Sequence, residues 1–167
     1  FVCGFTSLGL ITTHLVPYTV GDLRLTEANA AQALAVLGIF DVTGTILAGY
    51  LSDRFGRAFP LGMTYLIRAI SYLVLLNAGS PELLLLWSVI FGVTDLATVP
   101  LVAALTGDIY GRRSMGTIYG SIFLVHQIGA AVGAAFGGFV FQAFGTYQPA
   151  MVTGFVLLLA ASAMSFL

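Results

Sequence analysis

Five titratable side chains, Asp41, Arg68, Asp95, His14 and His126, stand inside long apolar stretches of a chain that is only 8% charged. A charge carried into hydrocarbon costs about 2.5–3.5 kcal/mol on insertion scales, so such residues are kept for a partner or a task. Carboxylates, imidazoles and a guanidinium in that setting bind ions, relay protons or neutralise one another. Their spacing is not that of an enzyme. Neither histidine belongs to an H-E-x-x-H metal helix, and "YGSIF" (119–123) is no G-x-S-G nucleophile turn. No catalytic residue, metal ligand or cofactor is assigned, and the chain is expected not to be an enzyme.

The elements that position these residues follow from composition. Hydrophobic residues make up 59% of the 167, whereas globular domains carry about 25% charged residues. So few charges cannot cover a water-facing surface, which makes a lipid bilayer the expected surroundings. A net charge of −1 argues against nucleic acid as a partner. The single Cys3 sets no disulfide framework. No initiator methionine, basic leader or cleavage site opens the sequence, and apolar residues run to its last position, so it reads as part of a longer membrane protein.

A spanning helix takes about 20 mostly apolar residues. Six segments meet that length: 1–21, 29–51, 59–78, 81–107, 114–144 and 147–167, helices one to six of a single bundle. Pro17 and Pro100 are expected to bend helices one and four. The second and fourth loops, 52–58 and 107–114, carry Arg54, Arg57, Arg112 and Arg113. The positive-inside rule puts both in the cytoplasm of a multi-pass protein of the plasma (cell inner) membrane. At 1.5 Å per residue, Asp41, Asp95 and His126 lie roughly 15 Å, and Arg68 roughly 12 Å, from that edge. All four are near the middle of a hydrocarbon layer about 30 Å thick. His14 lies roughly 9 Å under the opposite face.

The sequence also repeats. "GFTSL" (4–8) aligns with "GVTDL" (92–96) at a shift of 88. At a shift of 89, Gly44, Gly49 and Pro60 meet Gly133, Gly138 and Pro149. Two units of three helices, 1–80 and 81–167, are expected, and an odd number of spans inverts the second copy. The fold class is therefore an all-α membrane protein with an inverted three-plus-three repeat, the build of secondary transporters, whose sites lie near the midplane.

Each buried residue admits two readings. Asp41 and Arg68 either neutralise each other as a latch, or Arg68 contacts an anionic solute. Asp95 is a proton-coupling carboxyl, or a neutral hydrogen-bonded one. His126, beside Gln127, is a proton or anion contact, or a core histidine; His14, just before Pro17, is open in the same way. Gly38, Asp41, Thr45, Ala48 and Ser52 share one face of helix two. Gly129, Gly133 and Gly137 make a small-xxx-small face on helix five, for static packing or for sliding. Trp87 and Tyr147 fit an interfacial aromatic belt.

"GYLSDRFGRA" (49–58) crowds Asp53, Arg54 and Arg57 directly behind an apolar run. Asp53 precedes Arg57 by four, the favourable order for a helical ion pair. The string resembles the G-x-L-[SA]-D-R-x-G-R-[KR] loop signature of the major facilitator superfamily. Gly49, Leu51, Ser52, Asp53, Arg54, Gly56 and Arg57 match, and Ala58 departs. The loop also falls between the second and third helices of a six-helix half, as in the family. The resemblance spans the whole chain and implies the C-terminal half of a twelve-helix carrier, with the other six-helix half, the lipid bilayer and a small-molecule solute as partners. It implies that the signature charges latch neighbouring helices and bias the outward-open state; the residues alone require only a topology anchor.

"GFTSLGLITTHLVPY" and "GRRSMGTIYGSIFLVHQIGAAVGAAFGG" are similar to the monocarboxylate and oxalate–formate porter branch. Some members of that branch carry an Asp with an Arg four residues later in the eighth helix, where this chain has Asp41 and Thr45. The expected function is alternating-access transport of a small solute, an organic anion or monocarboxylate first, coupled to protons. Asp95, His126, Asp41, His14, Arg68 and Gln127 are expected at or near the cavity. A multidrug efflux carrier of the same fold is the alternative, and a non-transporting receptor or scaffold the alternative from another class.

Overall fold

Caps and breakers set where each helix starts and stops. In the computed structural model residues 1–111 and 113–166 are described; Arg112 of the fourth loop and Leu167, the expected end of helix six, lie outside the described residues. Helix one runs through three consecutive segments, Val2–Gly4, Phe5–Thr12 and Thr13–Gly21, the middle one wound as a π-helix. The π-wound stretch lies upstream of Pro17, which itself sits inside the segment Thr13–Gly21. Within the wide turns, Thr13 Oγ1 donates to the Leu8 carbonyl at 2.9 Å and Tyr72 Oη to the Thr6 carbonyl at 2.8 Å.

Helix two, Glu27–Phe55, opens on a reciprocal cap in which Thr26 and Asn29 bond each other's backbone N–H. It outruns its expected end at Leu51, because nothing before Gly56 breaks it. Gly56 has φ 80°, a value that favours glycine. Most of the signature is therefore helical, and only Gly56 and Arg57 separate helix two from helix three, Ala58–Leu76.

Helix four opens on Ser80 and Pro81, runs over Pro81–Asp95, breaks, and resumes as Thr98–Tyr110. The expected bend at Pro100 is thus a break just before it. Pro100 occupies the first turn of the second piece, where backbone N–H groups have no acceptor within the helix to lose. Helix five spans Met115–Phe144 and stops at left-handed Gly145; helix six spans Gln148–Ser165. Five of these helices are long and apolar enough to cross a membrane singly, counting the two pieces of helix four as one.

Helix one packs on five, two on four, and three on six. Glycines make the first two pairs close, since helices in lipid associate by packing rather than by hydrophobic exclusion. A Cβ on Gly133 would stand 2.5 Å from the Phe5 carbonyl, and one on Gly92 2.5 Å from that of Leu37. Gly4 is likewise closed by the His126 backbone and Gly44 by that of Val93. These contacts match at the shifts of 88 and 89: Gly4 on His126 answers Gly92 on Leu37, and Gly133 on Phe5 answers Gly44 on Val93.

Seating Gly44 against Val93 turns helix two slightly from the expected face. Its buried residues are Ala30, Ala33, Leu37, Asp41, Gly44, Ala48 and Ser52, while Gly38 looks outward. Trp87, expected at the interface, is instead fully buried nearly two turns into helix four, 5.2 Å from the Phe91 ring. Tyr147 is buried too. Outward positions carry large apolar side chains such as Ile46 and Met164 (71% and 74% exposed). With six apolar helices and that exterior, the chain is an integral membrane protein.

Candidate functional site

The break in helix four frees backbone groups at depth, and two charged side chains take them. Arg68, fully buried on helix three, donates from Nη2 to the carbonyls of Thr94 and Asp95, the latter at 2.6 Å. Its Nη1 reaches Ser7 Oγ at 3.1 Å and Cys3 Sγ at 3.2 Å on helix one. Its Nη2 also stands 3.9 Å from Asp95 Oδ1. The rings of Tyr65 and Phe91, at 5.8 and 5.7 Å from Cζ, add cation–π contact. Asp41, reaching in from helix two, accepts the Leu96 N–H at 3.3 Å. Backbone groups freed at membrane depth are tolerated where such partners satisfy them.

This arrangement replaces the expected Asp41–Arg68 latch. Arg68 pairs with Asp95 instead, so Asp95 has the basic partner that helix-by-helix counting did not supply. Arg68 and Asp41 hold consecutive residues at the break, Arg68 the carbonyls of Thr94 and Asp95 and Asp41 the N–H of Leu96.

Beside the break lies a cavity of about 300 Å³ between helices one, three, four and five. Asp95, with a side chain 14% exposed, and Thr98 face it from helix four; His126, Gln127, Phe123 and Tyr119 face it from helix five. Cys3, Ser7 and Tyr65 complete its polar lining. The His126 ring stacks on Phe123 with centroids 5.6 Å apart. Arg68 lies behind this wall rather than in it. Asp95 is thus the one carboxyl side chain among the described lining residues. With an imidazole, a thiol, hydroxyls and an amide around it, the site can hold or pass a proton and offer hydrogen bonds to a solute.

Of the six expected site residues, Asp95, His126 and Gln127 line the cavity, and Arg68 and Asp41 hold the helix break behind it. His14 stands apart: its Nε2 donates to the Ala134 carbonyl at 2.9 Å, and its ring sits 5.0 Å from that of Tyr147. Cys3, Ser7, Tyr65, Thr98 and Tyr119 were not foreseen. Their helical spacing did carry a signal, since Cys3 and Ser7, Asp95 and Thr98, and Tyr119, Phe123 and His126 recur every three or four residues.

At the end of helix two, Arg57 gathers the signature. It donates from Nη1 to Asp53 at 2.8 Å and Ser52 at 2.9 Å, and from Nε to Asp108 on helix four at 2.9 Å. Both carboxylates hold the guanidinium more firmly protonated than usual. Arg54 instead reaches Tyr50 Oη at 3.2 Å and lies over the Phe55 ring. Gly49 has open space beside it. At the opposite end of the bundle, the Tyr147 N–H donates to Asp22 at 3.0 Å, tying helix one to helix six.

Residues 1–167 match the sequence profile of the Major Facilitator Superfamily. An uncharacterized MFS-type transporter of Bacillus subtilis, YcxA, is 32% identical over 96% of this chain and 38% of its own length. Monocarboxylate transporter 12 of Homo sapiens is 28% identical over 92% of this chain and 30% of its own length. A triacylglyceride transporter of Mycobacteroides abscessus is 27% identical over 84% and 29%, respectively. The chain thus spans between a quarter and two-fifths of these relatives, all of them transporters rather than enzymes. With its helical bundle, its signature loop and a profile match from end to end, the chain belongs to the Major Facilitator Superfamily.

Proposed function

We propose that the chain is one six-helix half of a secondary active carrier that moves a small solute by alternating access with proton coupling. The observation that carries this reading is the cavity of about 300 Å³ that opens beside a broken helix and holds Asp95 and His126. Discontinuous helices and intramembrane ionisable residues are where such carriers bind solute and coupling ion. The glycine contacts that recur at shifts of 88 and 89 support two inverted three-helix units, 1–80 and 81–167. The arginines beside the signature support a cytoplasmic side for loops 52–58 and 107–114 in the plasma (cell inner) membrane. The other half of the carrier supplies the facing wall.

An organic anion is the solute class favoured here, by likeness to relatives named for monocarboxylates. Because this wall carries a carboxyl and none of its described lining residues is an arginine or lysine, a monocarboxylate has to arrive with its proton or meet a basic group on the other half. The multidrug reading rests on the apolar remainder of the wall. The test is uptake of monocarboxylates and of lipophilic cations into proteoliposomes holding the full-length carrier, with and without a proton gradient. Asp95→Asn is expected to abolish gradient-driven accumulation while leaving counterflow exchange. Unchanged accumulation by the variant would remove Asp95 from coupling, and no uptake of any solute by the wild type would favour a receptor or scaffold.

A further inference from the structure

A second cavity, about 250 Å³, opens between helices two, three and four beside the signature. Phe55 and Phe59, each more than half exposed, stand at its mouth, and Met63 and Ile67 continue one wall inward. From Phe55 to Gly44, helix two rises roughly 16 Å along this slot. That is about half of a hydrocarbon layer roughly 30 Å thick, so the slot runs from the membrane edge to the midplane within one leaflet.

Its walls offer nothing to a polar ligand. The two hydroxyls among its lining residues are already spent locally: Thr64 Oγ1 donates to the Pro60 carbonyl at 2.8 Å, and Thr94 Oγ1 to that of Phe91 at 2.8 Å. The charge lies just outside. Arg57 is neutralised between Asp53 and Asp108, but Arg54, its guanidinium over the Phe55 ring at 5.8 Å, forms no ion pair among the described residues. An apolar slot one leaflet deep, with an unneutralised guanidinium at its mouth, is complementary to one class of molecule.

We propose that this slot seats one acyl chain of an anionic phospholipid from the leaflet on the signature side, with its phosphate held by Arg54. Juxtamembrane basic residues attract anionic headgroups in the same way. The chain's inner end then lies against Gly44, Val93 and Ala97, at the crossing of helices two and four and beside the helix break. This inference rests on the chain's place in a bilayer and not on what the carrier moves.

The test is native mass spectrometry of the purified full-length carrier with dioleoyl phosphatidylglycerol, and with dioleoyl phosphatidylcholine as the neutral control. Wild type is expected to retain phosphatidylglycerol preferentially. Arg54→Gln, on the exposed surface, is expected to lower that retention about fivefold, and Met63→Trp, which fills the slot, to lower it at least as much. A photoactivatable acyl chain on the same lipid is expected to label residues 44–67. Equal retention by wild type and Arg54→Gln, or label confined to other segments because the remaining half of the carrier closes the slot, overturns the proposal.

Discussion

Arg68 makes the plainest case at the scale of the residue. Its guanidinium has no contact with water, and its bonds go to the Thr94 and Asp95 carbonyls and to Ser7 and Cys3. Removing one partner of a buried ion pair leaves the other charge uncompensated, at a cost of about 3–5 kcal/mol. Arg68→Gln is therefore expected to lower the Tm of the full-length carrier steeply. The double variant Arg68→Gln/Asp95→Asn should recover much of that loss, because position 95 then carries no carboxylate left without its cation. Thermal melts of the four proteins check this; strict additivity would show that Arg68 serves Asp95 no more than it serves the backbone. That these residues share a tier was legible in the sequence, since depth follows from counting along helices. Which of them touch was not. Asp41 and Arg68 are alike in depth, but contact depends on helix rotation and on a break that hydropathy does not register.

At the scale of the element, helix four is two helices whose junction is held by Arg68 and Asp41. Asp41 supplies an acceptor to the Leu96 N–H, and a buried N–H left without one costs about 1–3 kcal/mol. Asp41→Asn keeps an amide oxygen there, whereas Asp41→Leu keeps none. The leucine variant is expected to lose that stability and to exchange the Leu96 amide hydrogen faster, while the asparagine variant stays near wild type in both. Hydrogen exchange of the peptide over the break separates them, and equal exchange in the two variants would remove Asp41 from this role. The number and order of spans were readable from apolar runs between Gly, Pro and charge. Their ends were not, for physical reasons: helix two continues into the signature because Asp53 and Arg54 are tolerated on a helix that is leaving the bilayer. The π-wound stretch of helix one left no mark in composition, although Gly4 and Gly9, where helix five comes closest, were visible as glycines.

At the scale of the whole molecule, Arg57 joins the second helix to the fourth through Asp53 and Asp108. If that latch holds the signature side shut, Arg57→Gln opens the route from that side to Cys3, the single cysteine of the chain. Alkylation of Cys3 by a membrane-impermeant maleimide is then expected to accelerate from the signature side and not from the other. Equal rates in wild type and variant would reduce the signature to an anchor.

The two ends of the bundle are fastened by unlike means. One fastening is a three-membered cluster of full charges in contact with water, with Asp53 78% and Asp108 57% exposed. The other, among the described residues, is an amide-to-carboxylate bond beside the buried Tyr147. Dissolved ions screen exposed charges over about 8–10 Å at ordinary ionic strength and reach sheltered contacts far less. A rise in salt is therefore expected to loosen this half at the signature rim and not at the other, so the ionic composition of the compartment facing the signature acts on one end of the bundle alone.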